Sequence, residues 1–143
     1  MSKFRILIID DDKRHLKTIK AVIDQIKSPK IEIVTQSDGL EAFKILQNEY
    51  NYNFILIDIT LRQIDGLVLL RYLKENKNFI RSYIAILSTS NNPKDIEVAR
   101  KNGADAYITK PINCSEESMK RLQNIVKLVK TKGYSKEFEL YEL

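Results

Sequence analysis

The chain reads as an α/β protein built on a parallel sheet, and three observations lead there. Short apolar runs alternate with amphipathic segments five times along 143 residues. Three of the runs, 4–9 (FRILII), 53–58 (NFILID) and 83–88 (YIAILS), are apolar almost throughout, as strands buried on both faces of a parallel sheet are. Each is followed by a segment with helical start signals, so successive strands are joined by crossover helices packed on the two faces of the sheet.

The elements can be justified in order. Strand candidates are 4–9, 31–35 (IEIVT), 53–58, 83–88 and 105–109 (DAYIT). Leu16, Ile19, Val22, Ile23 and Ile26 recur at helical spacing after the first strand, and "KSPK" stops that helix. Asp38 followed by Glu41 resembles a capping box opening a helix through about Asn48. Asp65 and Gly66 open a third helix with Leu69, Leu70 and Leu73 on one face. Asn92 as cap, Pro93 at the first helical position and Asp95 in the first turn start the fourth, and Gly103 is placed to end it in a left-handed conformation. Asn113 with Glu116 can cap the fifth, whose stripe is Met119, Leu122, Ile125, Val126 and Val129. The last stretch, "KGYSKEFELYEL", is compatible with a helix extension, an added strand or a loose tail.

Composition narrows the classes. The length suits one domain with a full core. No apolar run approaches the about 20 residues needed to span a bilayer, and no signal-peptide pattern opens the chain. A single cysteine, Cys114, excludes an intrachain disulfide and fits a reducing cytoplasm; it reads as an incidental residue near the fifth helix. The formal net charge of +5 is spread along the chain without a basic block or interleaved aromatics. That is a solvated surface that favours acidic partners over direct nucleic-acid binding.

In an open α/β sheet the ligand crevice lies beyond the carboxyl ends of the strands. Asp10 and Asp11 end the first strand, Asp58 the third, Ser88, Thr89 and Ser90 the fourth, and Lys110, before Pro111, the fifth. Three carboxylates from two strands form a hard oxygen site suited to Mg²⁺, which would offset their repulsion and keep them ionised. An aspartate can also act as nucleophile toward phosphorus. Phosphoryl transfer needs a cation, an ammonium and hydrogen-bond donors around the moving oxygens, and Mg²⁺, Lys110 and Ser88 could supply them.

The segments "ILIIDDD", "FILIDITLRQIDGL", "AILSTS" and "GADAYITKPI", in that order and spacing, resemble the receiver domain of two-component response regulators over roughly residues 3 to 131. The resemblance implies a flavodoxin-like doubly wound (βα)5 sheet of strand order 2-1-3-4-5. It implies Asp58 as phosphoacceptor, with a sensor histidine kinase or phosphotransfer protein as donor. It places Mg²⁺ on Asp11, Asp58 and the backbone carbonyl of Thr60, with Asp10 acting through a metal-bound water. Lys110 would pair with Asp58 at rest and with phosphoryl oxygens afterwards. Ser88 would be the switch hydroxyl. Tyr107 is either its moving aromatic partner or simple edge-strand packing. The family's Lys-Pro bond, here Lys110–Pro111, is typically cis.

Other residues read differently. Asp12 lies outside the family's acidic pair and suits the cap of the first helix. His15 sits on a charged helix face and reads as a surface residue. Arg62 stands where the family often has proline, so a guanidinium lies near the acidic pocket. Thr60 and Ser90 occupy positions that tune acyl-phosphate lifetime in the family. The expected organisation is a receiver domain over 1–131 and a tail over 132–143, with no output domain. The output is then a downstream protein target, met through the fourth helix, fifth strand and fifth helix, with a homodimer through that face as a further option. Catalysis is limited to the protein's own phosphorylation and dephosphorylation. The alternatives are a phosphorylation-independent scaffold, disfavoured by the intact acidic set, and a haloacid-dehalogenase-type phosphatase, disfavoured because "DIT" at 58–60 lacks that class's second acid.

Overall fold

A computed structural model describes residues 3–27, 30–110, 115–132 and 137–143. The strands are β1 (Phe4–Ile9), β2 (Ile31–Gln36), β3 (Phe54–Asp58), β4 (Tyr83–Ser88), β5 (Ala106–Thr109) and β6 (Glu139–Glu142). The helices are α1 (Lys13–Asp24), α2 (Gly39–Leu46), α3 (Gly66–Glu75), α4 (Pro93–Lys101) and α5 (Glu116–Lys132). All strand pairs are parallel, in the order β2-β1-β3-β4-β5-β6. The expected doubly wound sheet is therefore present, with one strand more than expected.

Alternation along each strand divides the core in two. Ile6, Ile8, Phe54, Leu56 and Leu87 face α1 and α5, whose Ile19, Ile23, Leu122 and Val126 complete one cluster. Leu7, Ile9, Ile55, Ile57 and Ile86 face the other way, onto Ala42, Leu69, Leu70, Leu73 and Ala99 of α2, α3 and α4. Truncating any of these leucines or isoleucines to alanine costs about 2–5 kcal/mol. Both faces of β1, β3 and β4 are covered, which is why those strands are apolar throughout.

Helix starts follow the polar residues that precede them. Asp12 accepts the Arg14 N–H (2.9 Å), Asp38 the Leu40 N–H (2.8 Å), Asp65 the Leu67 N–H (2.9 Å) and Asn92 the Lys94 N–H (2.9 Å). Gly103 has φ +95°, so the left-handed turn after α4 is one that a side chain would strain. Asn113 lies outside the described residues; the cap seen on α5 is Ser115, whose Oγ accepts the Ser118 N–H at 3.0 Å. Cys114 and Pro111, and with Pro111 the isomer of its peptide bond, also lie outside them.

Residues 139–142 resolve the three options for the last stretch in favour of an added strand. The Glu139 N–H donates to Asp105 O and the Leu143 N–H to Thr109 O, continuing the β5 ladder. Glu139 accepts hydrogen bonds from the hydroxyls of Tyr83 and Tyr141, both at 2.8 Å. Burial, with the Glu139 carboxylate beside it, pushes the Tyr141 phenol up to about 12. β5 is consequently an interior strand, and packing at a sheet edge is no longer a reading open to Tyr107.

Candidate functional site

The parallel sheet delivers the polar strand ends to one edge. Asp10 is fully buried, Asp58 is 7% exposed and Asp11 is half-buried. Their carboxylates each offer an oxygen within 4.8 Å of the others. This is the cluster the sequence assembled from two strands, and its all-oxygen donor set fits a hard divalent cation. The loop after β3 turns tightly back: a Cβ on Gly66 would lie 2.4 Å from the Asp58 carbonyl oxygen, so only glycine lets α3 begin there.

Asp58 is held from one side only. Its Oδ1 accepts the Thr60 N–H (3.0 Å) and the Thr60 hydroxyl (3.1 Å). Burial raises its carboxyl above the ordinary value; the Thr60 N–H and Lys110 oppose that shift, and Asp10 adds to it. The second oxygen, Oδ2, has Lys110 Nζ at 3.7 Å.

Lys110 leans elsewhere. Its Nζ donates to Asp10 Oδ2 at 2.7 Å, so the tight pair is Lys110–Asp10 and the expected resting pair with Asp58 is the looser contact. Asp10 Oδ1 accepts the Asp12 N–H at 2.9 Å, which fixes that carboxylate between helix start and lysine.

His15, read from the sequence as a surface residue, also reaches the edge of the pocket. Its side chain is 34% exposed and turned toward the pocket: Nδ1 lies 3.1 Å from Lys110 Nζ and 3.5 Å from Asp10 Oδ2, and Nε2 lies 3.6 Å from Asp12 Oδ2. The signal was its place in the first turn of α1, three residues beyond the capping Asp12. Arg62 meets the expectation of a nearby guanidinium, with Nε 3.3 Å from Asp11 Oδ2 and a side chain 84% exposed.

The hydroxyl side is ordered by the β4–α4 loop. Ser88 is buried; its Oγ accepts the Ser90 N–H at 3.1 Å. Ser90 Oγ donates to Asp95 and accepts the Asn92 N–H. Tyr107 is fully buried, and its hydroxyl donates to the Ser90 carbonyl at 2.8 Å. A direct chain therefore runs from Ser88 through the Ser90 backbone to the Tyr107 ring. Thr60, by contrast, is exposed at the rim.

The acid cluster, the buried Lys110 and the Ser88 hydroxyl thus lie at the carboxyl ends of the strands of a doubly wound sheet, where ligands of such folds sit. The model of the response regulator receiver domain matches residues 6–123, and the chain belongs to that family, the receiver modules of two-component signal transduction. It is 32% identical over 121 residues to the aerobic respiration control protein ArcA of Escherichia coli K12, covering 85% of this chain and 48% of that protein. The chain thus spans about half the length of that relative. It is 29% identical over 119 residues to the response regulator Rcp1 of Synechocystis, covering 78% of this chain and 79% of that one. Among solved structures, the phosphorylated cyanobacterial phytochrome response regulator RcpA superposes with a TM-score of 0.83 at 26% identity, covering 93% of this chain and 98% of that chain. The Mn²⁺-bound form of Rcp1 superposes at 0.75 and 28% identity, covering 85% and 91%.

Proposed function

We propose that the chain is a phosphoacceptor response regulator. It receives a phosphoryl group on Asp58 from a histidine kinase or phosphotransfer protein and signals through contacts with a downstream protein. The observation that carries the proposal is the Asp10, Asp11 and Asp58 cluster with Lys110 inside it. The donor set fits Mg²⁺ held by Asp11, Asp58 and the Thr60 carbonyl, with Asp10 at one remove. When bound, the metal supplies charge neutralisation for the carboxylates and the phosphoryl oxygens. The Mn²⁺-bound and phosphorylated relatives support both halves of this reading.

This chain's residues have distinct tasks. Asp58 Oδ2, the oxygen without a Thr60 hydrogen bond, attacks phosphorus; the bond to the donor's leaving group breaks as the acyl phosphate forms. Lys110 Nζ, already 3.7 Å away, moves toward the new phosphoryl oxygens. Ser88 Oγ exchanges its Ser90 contact for a phosphoryl oxygen, and the Ser90–Tyr107 link passes that shift to the α4–β5 surface. The receiver unit is residues 1–131 together with the strand Glu139–Glu142 that extends its sheet, and its place of action is the cytoplasm.

Incubation with Mg²⁺ and acetyl phosphate, followed by intact mass measurement, tests this. A labile phosphoryl adduct is expected that requires metal and is absent in Asp58→Asn. If neither acetyl phosphate nor a phosphorylated histidine donor labels the protein, a phosphorylation-independent scaffold replaces this reading.

A further inference from the structure

At the opposite end of the sheet, the strand starts and the loops leading into them enclose a cleft of about 690 Å³. That volume suits a small organic ligand rather than a protein surface. Its floor is built and fixed. The Asn53 N–H donates to Arg5 O, and the Arg5 N–H donates back to Asn53 Oδ1, both at 2.8 Å. The Tyr83 N–H donates to Asn53 O, and Ser82 Oγ to Tyr52 O at 2.6 Å, which ties the 50–53 loop to the start of β4. Tyr50 is anchored by its hydroxyl on Gln47 O and by an edge contact with Phe79 at 5.8 Å, yet remains 42% exposed. Ile80, 69% exposed, lies on the same lining.

The cations fall into two groups. Arg5 is committed to the protein: Nε to Glu32 at 3.0 Å, Nη1 to Asn51 at 2.9 Å, and its guanidinium 4.4 Å over the Tyr52 ring. Lys3, Lys77 and Arg81 are exposed, and among the described residues they make no ion pair. Among the described residues, no carboxylate lines the cleft. Three uncompensated cations around a rigid concavity with an exposed aromatic ring and an apolar side chain match a ligand that is both polyanionic and planar.

We propose that this cleft binds a nucleoside di- or triphosphate, with Lys3, Lys77 and Arg81 on the phosphate oxygens and Tyr50 with Ile80 beneath the base. The site is independent of the acidic pocket at the other edge.

The test is calorimetric titration of the full chain, in EDTA-containing buffer of low ionic strength, with ATP, ADP, adenosine and inorganic triphosphate. Amide chemical shifts are followed in parallel. ATP and ADP should bind and shift residues 50–53 and 77–82; adenosine should not bind, and triphosphate should bind more weakly than ATP. Lys77→Ala/Arg81→Ala should weaken ATP binding at least about tenfold, the loss of a charge-assisted contact, while labelling by acetyl phosphate stays unchanged. Absence of ATP binding at millimolar concentration, shifts confined to the acidic pocket, or equal binding by the double variant would each overturn the proposal. Equal affinity for triphosphate and ATP would remove the nucleoside from it.

Discussion

Two aspartates, Asp58 and Asp105, are buried to the same extent, 7% exposed each, and both have carboxyls raised above the ordinary value chiefly by burial. Each has a lysine nearby. Their surroundings nonetheless differ in kind. Asp105 is saturated: Oδ2 accepts the Ile84 N–H at 2.8 Å, and both oxygens accept from Lys74 Nζ, at 3.2 and 3.4 Å. Its own N–H donates to Ile84 O, so one residue knots the start of β5 to β4. Asp58 has donors on one oxygen, a lysine at 3.7 Å that prefers another acid, and a second carboxylate adding to its charge. Burial alone therefore does not distinguish these two acids; the unfilled coordination around the Asp58 oxygen does.

The contrast breaks most sharply at Asp105. Asp105→Ala strands the buried Ile84 N–H and removes the Lys74 pair, and should lower unfolding free energy by about 3 kcal/mol in urea titrations. Asp58→Asn should act in the opposite direction, raising the stability of the metal-free protein by on the order of 1 kcal/mol, because it removes a poorly compensated buried charge. If both variants destabilise equally, the distinction between the two acids fails.

A pH series sharpens the same comparison. The folded state holds the Asp58 proton more tightly than the unfolded chain does. Between the ordinary aspartate value of 3.8 and the raised folded value, the folded state therefore binds more protons, and stability falls as pH rises through that window. In EDTA, the advantage of Asp58→Asn over wild type should appear on raising pH through it and then level off. Saturating Mg²⁺ should erase that advantage by stabilising the wild type. A constant difference at all pH values would locate the cause outside Asp58 ionisation. The smallest expected effect belongs to Arg62→Ala, which removes an exposed cation 3.3 Å from Asp11; Mg²⁺ affinity by calorimetry should rise about twofold. The absence of tryptophan makes calorimetry preferable to intrinsic fluorescence.

Much of this was legible in the chain because the signals are local. Apolar runs announced β1, β3 and β4, and Asp12, Asp38, Asp65 and Asn92 announced helix starts, each through a side chain that bonds an N–H two residues on. The convergence of Asp10, Asp11, Asp58, Ser88 and Lys110 was also legible, since a parallel sheet puts all strand ends on one edge. Choices made at a distance were not. Whether Lys110 pairs with Asp10 or Asp58 turns on about an ångström of placement across 100 residues of chain, and His15 meets Lys110 across 95. The strand ELYE is too short and too polar to compete, on pattern alone, with a frayed helix end. Likewise, Lys3, Lys77 and Arg81 are scattered in sequence and meet only because the strand starts share an edge.

The sixth strand also governs how copies of the protein meet. It makes the outer rim of the sheet a four-residue strand, Glu139–Glu142, with an acid at each end. A rim so short, with a charge at each end, offers an incoming strand little ladder to pair with. Short length and paired acids thus cap the sheet against growth from molecule to molecule, guarding a crowded solution of this protein from edge-to-edge aggregation.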